Sequence, residues 1–181
     1  MDNDAVGVEV LGSEREGKGF RYLVPIEVAS VTGDEIALLW QKLSTQDYSF
    51  DDNSRGRGEL FVVGLTEPNS LHFRIQDSGY IQVRNAYQGS DASIHFALWD
   101  RNFPFSQAKE AGVEVLTHLF NEVKVNRVSG YIPVYNALAK RFATLLGFKF
   151  EGELRRSILY KGEYHNISIY GLLKEEFTRR S

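Results

Sequence analysis

The sequence predicts an α/β (mixed α+β) chain on one twisted, mixed sheet of about seven strands with helices on both faces, and three observations predict it. The first half alternates short apolar runs with hairpin breaks, the middle runs strand, helix, strand, helix, and the tail is two strands around Lys161-Gly162. Hairpin links make antiparallel neighbours, whereas a helix between two strands makes a crossover and a parallel pair. The chain has 181 residues, 43% hydrophobic and 25% charged, with no repeat and no low-complexity linker, so residues 1–181 are expected to form one domain.

Taken in order, the first strand is Phe20 to Val28. Thr32 or Asp34 then caps a helix running to about Leu43, whose apolar positions Ile36, Leu39, Trp40 and Leu43 fall on one face. Ser44 to Gly58 is polar and glycine-containing, a long surface loop with room for a short helical turn. Strands follow near Leu60–Leu65, Leu71–Gln76 and Tyr80–Tyr87, separated by Pro68-Asn69 and Asp77-Ser78-Gly79. Ser93 to Trp99 alternates Ile94, Phe96 and Leu98 with Ser93, His95 and Ala97, one buried and one mixed face. Ser106 to Val123 carries an apolar stripe through Ala108, Ala111, Val115, Leu119 and Phe120, a helix. Arg127–Val134 is a strand and Tyr135–Leu146 a helix ended by Gly147. Phe148 to Leu173 is a hairpin, with Lys161-Gly162 as its turn.

Composition narrows the chemistry. A formal charge of −3 argues against a dedicated nucleic-acid partner. With zero cysteines there is no disulfide, thiolate zinc site, iron–sulfur cluster or cysteine nucleophile. Met1 to Glu9 lacks the basic head and apolar run of a signal peptide, and no apolar stretch is long enough for a membrane helix, so a cytoplasmic protein is expected. The four histidines, His72, His95, His118 and His165, show no i, i+4 pair, which leaves them as surface or hydrogen-bonded residues rather than metal ligands. No nucleophile elbow, phosphate-binding P-loop or dinucleotide fingerprint occurs. Arg55-Gly56-Arg57-Gly58 beside Asp51-Asp52 reads as a solvated loop rather than a nucleic-acid contact.

The second crossover carries the strongest pattern. Asn136 opens a helix, Ala139 stands one turn on, Gly147-Phe148 ends it, and Glu151-Gly152 and Arg155 lie on the next strand. Tyr160-Lys-Gly162-Glu-Tyr164-His-Asn166 and Tyr170-Gly-Leu-Leu173 follow as a closing hairpin. In this order, over roughly Ser93 to Phe177, the series resembles the GNAT superfamily of N-acetyltransferases, closest to the branch of ribosomal-protein N-terminal and polyamine acetyltransferases. The resemblance implies acetyl-CoA as cofactor, wedged where two central parallel strands splay apart, and an amine that attacks the thioester directly. It implies that the backbone of Phe96, Ala97, Leu98 and Trp99 pairs with the pantetheine arm and that the Asn136 amide holds the cofactor, a residue that is equally an N-cap. The implied acceptor is a protein N-terminus or a small amine, with no nucleic acid or membrane and with a monomer or homodimer as the working unit.

One segment departs from that pattern. The family's glycine-bearing pyrophosphate loop is replaced by Asp100-Arg101-Asn102-Phe103-Pro104-Phe105, and Pro104 removes an N–H donor. Phosphate would then be held by the N–H groups of Ser106, Gln107 and Ala108. The tyrosine that many members carry inside the second helix is also missing, Phe142 and Ala143 standing there. His95 as base, with Tyr131 and Tyr135 as further candidates, covers the catalytic choices, set against structural roles for each. Asp47, Asp51 and Asp52 lie in the loop that borders the acceptor in this fold, where they either favour a cationic amine or are merely solvated. The alternative to an enzyme is a GNAT-fold module without efficient catalysis, kept for binding or assembly, as in a bacteriophage virion and its larger assemblies.

Overall fold

A computed structural model describes residues 19–178. Met1 to Glu9, read above for a signal peptide, lies outside them. The strands are β1 (Leu23–Pro25), β2 (Leu71–Ile75), β3 (Gly79–Arg84), β4 (Asp91–Leu98), β5 (Arg127–Pro133), β6 (Lys149–Tyr160) and β7 (Glu163–Leu173). They form one seven-stranded sheet in the order β1-β2-β3-β4-β5-β7-β6, in which only β4 and β5 are parallel. The helices are α1 (Gly33–Leu43), α2 (Gly58–Leu65), α3 (Phe105–His118), α4 (Ala137–Leu146) and the short α5 (Lys174–Thr178). The mixed seven-stranded sheet expected from the sequence is therefore present, with its crossover joining β4 to β5 through α3.

Local chemistry accounts for the helix ends. Thr32 caps α1 in a full capping box, its hydroxyl accepting from the Glu35 N–H while the Glu35 carboxylate accepts from the Thr32 N–H. Helix α4 begins two residues later than expected, because Asn136 is the cap (φ −88°, ψ 75°) and its side-chain oxygen accepts from the Ala139 N–H at 3.1 Å. Gly147 closes α4 at φ 102°, a left-handed conformation that favours glycine. Helix α3 ends in one π-helical turn, Leu119–Val123, so the expected stripe to Val123 is continuous while its hydrogen bonding changes.

The strand expected at Leu60–Leu65 is helix α2. A short run of apolar residues does not distinguish a strand from a buried helix by period, and here contacts with α1 decide. Phe61 stacks on Trp40 at 5.8 Å, and a Cβ on Gly58 would meet the same indole at 3.0 Å. Leu65 is buried with Leu39, Leu43, Tyr80 and Ala97 in a small core, while the β-branched Val62 and Val63 face outward. The first strand is also shorter than expected, Leu23–Pro25, because β1 pairs only with Phe73 to Ile75. The larger core fills the opposite face, where Val115, Leu116, Leu119 and Phe120 meet Ile75, Ile81, Val83, Val128 and Leu172. Helices α1 and α2 thus cover one face of the sheet and α3 with α4 the other.

Candidate active site

The parallel pair at the centre does not stay together. β4 and β5 are in register only at Asp91↔Arg127, Ala92↔Val128 and Ser93↔Ser129, although β4 continues to Leu98 and β5 to Pro133. Each strand remains paired on its other side, β4 with β3 up to Gly79↔Leu98 and β5 with β7 up to Pro133↔Ile167. The sheet therefore opens as a wedge between two strands that are each held from behind. Trp99 donates its N–H to Ser78 on the β3 side, and the Ala97 carbonyl faces Gly79. Strand alternation then turns the N–H and C=O groups of Phe96 and Leu98 into the wedge. Of the four residues Phe96 to Trp99, those two turn their backbone into the wedge, the Leu98 carbonyl already taking a bond from Tyr48, while Ala97 and Trp99 face β3.

Both crossover helices start at the mouth of this wedge. Pro104 precedes α3 without any side-chain cap, and the N–H of Ala108 is already given to the Pro104 carbonyl. The open donors are consequently those of Phe105, Ser106 and Gln107, one residue earlier than the set expected from the sequence, and they carry the positive end of the helix dipole. Across the mouth, Asn136 uses its side-chain oxygen as a cap and leaves its NH₂ group without a partner. A cap and a ligand contact are compatible in one amide, since each uses a different atom. Phe96, Phe142 and Phe105 form an aromatic row beside the wedge, with centroids 4.9 and 5.9 Å apart in turn.

The face of the wedge turned toward α1 and α2 is polar. His95 lies opposite Gln82, and Ser93 opposite Arg84 and Ser129. Tyr131, two residues on along β5, shares this face and is 53% exposed. His95 opens to solvent, yet the protein crowded around it displaces water and, with the nearby Arg84 guanidinium, lowers its pKa below the ordinary histidine value. The imidazole is thus neutral and able to take a proton. Below it, Arg127 binds Glu151 through both guanidinium nitrogens and donates from Nε to Ser129 at 3.0 Å, and Ser129 donates to Asp91 at 2.7 Å. Glu151 of the Glu-Gly pair serves this ion-pair lattice, and Gly152 sits where β6 shifts register.

The polar loop expected at Ser44–Gly58 reaches across the mouth, with a Tyr48 contact not foreseen from the sequence. The segment Gln46–Arg55, including a 3₁₀ turn at Asp47–Ser49, runs as a strap from β4 to the β6–β7 hairpin. At one end the Tyr48 hydroxyl donates to the Gln46 side chain at 2.8 Å and to the Leu98 carbonyl, inside the wedge, at 3.2 Å. At the other end Asp52 accepts from the Lys161 and Gly162 N–H groups at 2.9 and 2.8 Å, and its own N–H goes to Leu159. Asp47 is a hub. It accepts from the Tyr160 hydroxyl at 2.6 Å and pairs with Arg55 and Lys161, and these partners, Tyr160 foremost, bring its pKa down to about 2. Asp51 binds the Ser54 N–H at 2.8 Å. The three carboxylates are therefore neither free nor merely solvated. Asp47 and Asp52 pin the loop to the hairpin, Asp51 braces the loop on itself, and Arg55 and Arg57 are engaged with Asp47 and Glu59. Among the described residues, no group of three or more metal-ligating side chains comes together and no helix is long and apolar enough to cross a membrane.

A scan against protein-family models finds no match. A prophage-derived uncharacterized N-acetyltransferase of Bacillus subtilis, YokL, is 36% identical over 70 residues, 39% of this chain and 40% of that protein. A second B. subtilis protein, YdaF, provisionally named a ribosomal N-acetyltransferase, is 31% identical over 64 residues, 35% of each chain. The matched stretches thus span about two fifths or less of these relatives. Among solved structures, a spermidine N-acetyltransferase from Vibrio cholerae in complex with CoA and spermine superposes with a TM-score of 0.68 at 13% identity, covering 87% of this chain and 98% of that one. The splayed mixed sheet is thus GNAT-like, the fold of this solved N-acetyltransferase, and stretches of about 70 residues are similar to the two N-acetyltransferase relatives.

Proposed function

We propose that this chain is a cytoplasmic N-acetyltransferase that moves the acetyl group of acetyl-CoA onto a primary amine by direct attack. The observation that carries this reading is the wedge itself: the inward-turned backbone of Phe96 and the Leu98 N–H, three open N–H groups on α3 and the free Asn136 NH₂ converge on one mouth. These groups suit the amides of a pantetheine arm and a phosphate group. When bound, acetyl-CoA supplies a thioester whose carbonyl is already electrophilic. The chain's part is orientation and proton management. Leu98 and Phe96 align the arm along β4, the α3 N-terminus and Asn136 hold its polar parts, and neutral His95, directly or through one water, accepts the proton that the amine sheds as its C–N bond forms. Tyr131, on the same face, is a second proton-handling group.

The acceptor we propose is the amino end of a polypeptide rather than a free polyamine. Recognition of a polycation needs unspent carboxylates, and Asp47, Asp51 and Asp52 of the strap are all committed to its own anchorage. The naming of YdaF as a ribosomal N-acetyltransferase supports the same choice. Calorimetric titration of the whole chain with acetyl-CoA, followed by a CoA-release assay with a free-amino-terminal hexapeptide and with spermidine, tests both parts. Binding with turnover of the peptide is expected. Binding without turnover of any amine would instead support a non-catalytic module, the reading that glycine-free Asn102–Gln107 favours.

A further inference from the structure

Tyr135 lies just past β5 and just before the Asn136 cap, and its hydroxyl is the only buried side-chain polar atom among the described residues with no hydrogen-bond partner. Its ring stacks on Tyr160 with centroids 4.1 Å apart and meets His165 edge-on at 5.2 Å. Burial and the nearby Tyr160 and strap carboxylates push its pKa up to about 12, so it stays a hydroxyl and a donor. A buried hydroxyl without a partner is costly, and native structures rarely leave one. The polar groups around it are already committed: Tyr160 donates to Asp47, and Asp51 binds Ser54. No described group takes its proton, which leaves that place open to a group from outside the chain.

We infer that Tyr135 is a specificity-determining residue whose hydroxyl donates to a backbone carbonyl near the amino end of a polypeptide acceptor, favouring such an acceptor over an alkylamine that has no carbonyl. The inference rests on the acetyltransferase reading of the wedge. Tyr135 stands four residues beyond Tyr131, at the mouth roofed by the strap, so an amine at the wedge floor trails its chain past this hydroxyl. The hydroxyl proton has no acceptor, a place that a carbonyl can take and an ammonium, with no lone pair, cannot. A site built to hydrogen-bond one group rejects an analogue lacking it, because its own polar atom is then left unpaired.

The test compares wild type and Tyr135→Phe, which keeps the stack and removes only the hydroxyl, as whole chains with acetyl-CoA. Three acceptors are used: a free-amino-terminal hexapeptide, the same peptide with its first amide carbonyl reduced to methylene, and spermidine. The variant should lose about tenfold in kcat/KM for the peptide, through KM. It should lose nothing for the reduced peptide or spermidine, and its melting temperature and acetyl-CoA affinity should not fall. In wild type the carbonyl reduction alone should cost the same factor. Equal kcat/KM of the two proteins on the peptide, or equal losses on all three acceptors, overturns the inference and leaves the acetyltransferase reading standing; the hydroxyl then only holds a water. A wild type that acetylates spermidine but no peptide overturns it too. A wild type that acetylates none of the three overturns the underlying reading with it.

Discussion

Asn136 caps α4 with one atom and, in the proposed enzyme, offers the other to the cofactor, and substitutions can separate the two. Its side-chain oxygen caps α4, so Asn136→Ala should cost about 1 kcal/mol of stability. Asn136→Asp retains the capping oxygen but loses the NH₂ donor, so it should keep the melting temperature and weaken acetyl-CoA binding. Thermal melts beside calorimetric titration distinguish these effects, and an aspartate variant with unchanged affinity would reduce Asn136 to a cap. His95 is read by a pH profile. Crowding lowers its pKa, so the acidic limb of kcat/KM should fall below the ordinary histidine range near 6.5, and His95→Gln should abolish that limb. A limb that survives the substitution would assign the base elsewhere. Asn136, His95 and Tyr131 were already candidates in the sequence. Tyr48 was not, because a tyrosine in a polar loop carries no sign that it will reach the Leu98 carbonyl fifty residues away.

At the scale of elements, legibility followed period and punctuation. Helix α1 announced itself through Thr32 and Glu35, α4 through Asn136 and Gly147, and the hairpin through Lys161-Gly162, all local signals. Helix α2 did not, because Leu-Phe-Val-Val has no polar residue to set a period and its partner, Trp40, is distant in sequence. In the proposed enzyme, the α3 entrance is the element on which cofactor binding turns. Glycines at Pro104 and Ser106 would return one N–H and free the backbone to curl around a diphosphate. If Pro104 and Phe105 are a weak substitute for that loop, Pro104→Gly with Ser106→Gly should tighten acetyl-CoA binding by severalfold, with a small loss of stability from added chain entropy. Weaker binding by the double variant in the same titration would show that the proline holds Phe105, Ser106 and Gln107 in a pre-set array.

Across the whole molecule, His72, His95 and His118 resist protonation in the fold, and that fixes how its stability responds to acid. His72 is 3% exposed in a directional chain: Ser70 donates to the Glu67 carbonyl, so it accepts from His72 Nε2, and His72 Nδ1 accepts from the Tyr80 hydroxyl at 2.7 Å. That chain joins the loop after α2 to β2 and β3, and it requires a neutral ring, since an imidazolium has no acceptor nitrogen. Burial lowers the pKa of His72, and desolvation likewise lowers those of His95 and His118. For each, the unfolded chain binds a proton near pH 6.5 while the folded chain resists it. Their contribution is therefore fully present above pH 6.5 and is lost as pH falls below it, buried His72 costing at most about 1.4 kcal/mol per pH unit and the more open rings less. The carboxylates act in a lower window: Asp47, held at about 2 in the folded chain, gives up its share only between the ordinary aspartate range and that value. Urea unfolding from pH 7.5 down to 3 should therefore show two successive losses of stability, and His72→Gln should reduce the slope of the first while leaving the second unchanged. A stability that stays flat between pH 7.5 and 5.5 would mean that these rings protonate freely in the folded chain, and the Ser70–His72–Tyr80 chain would have to be redrawn.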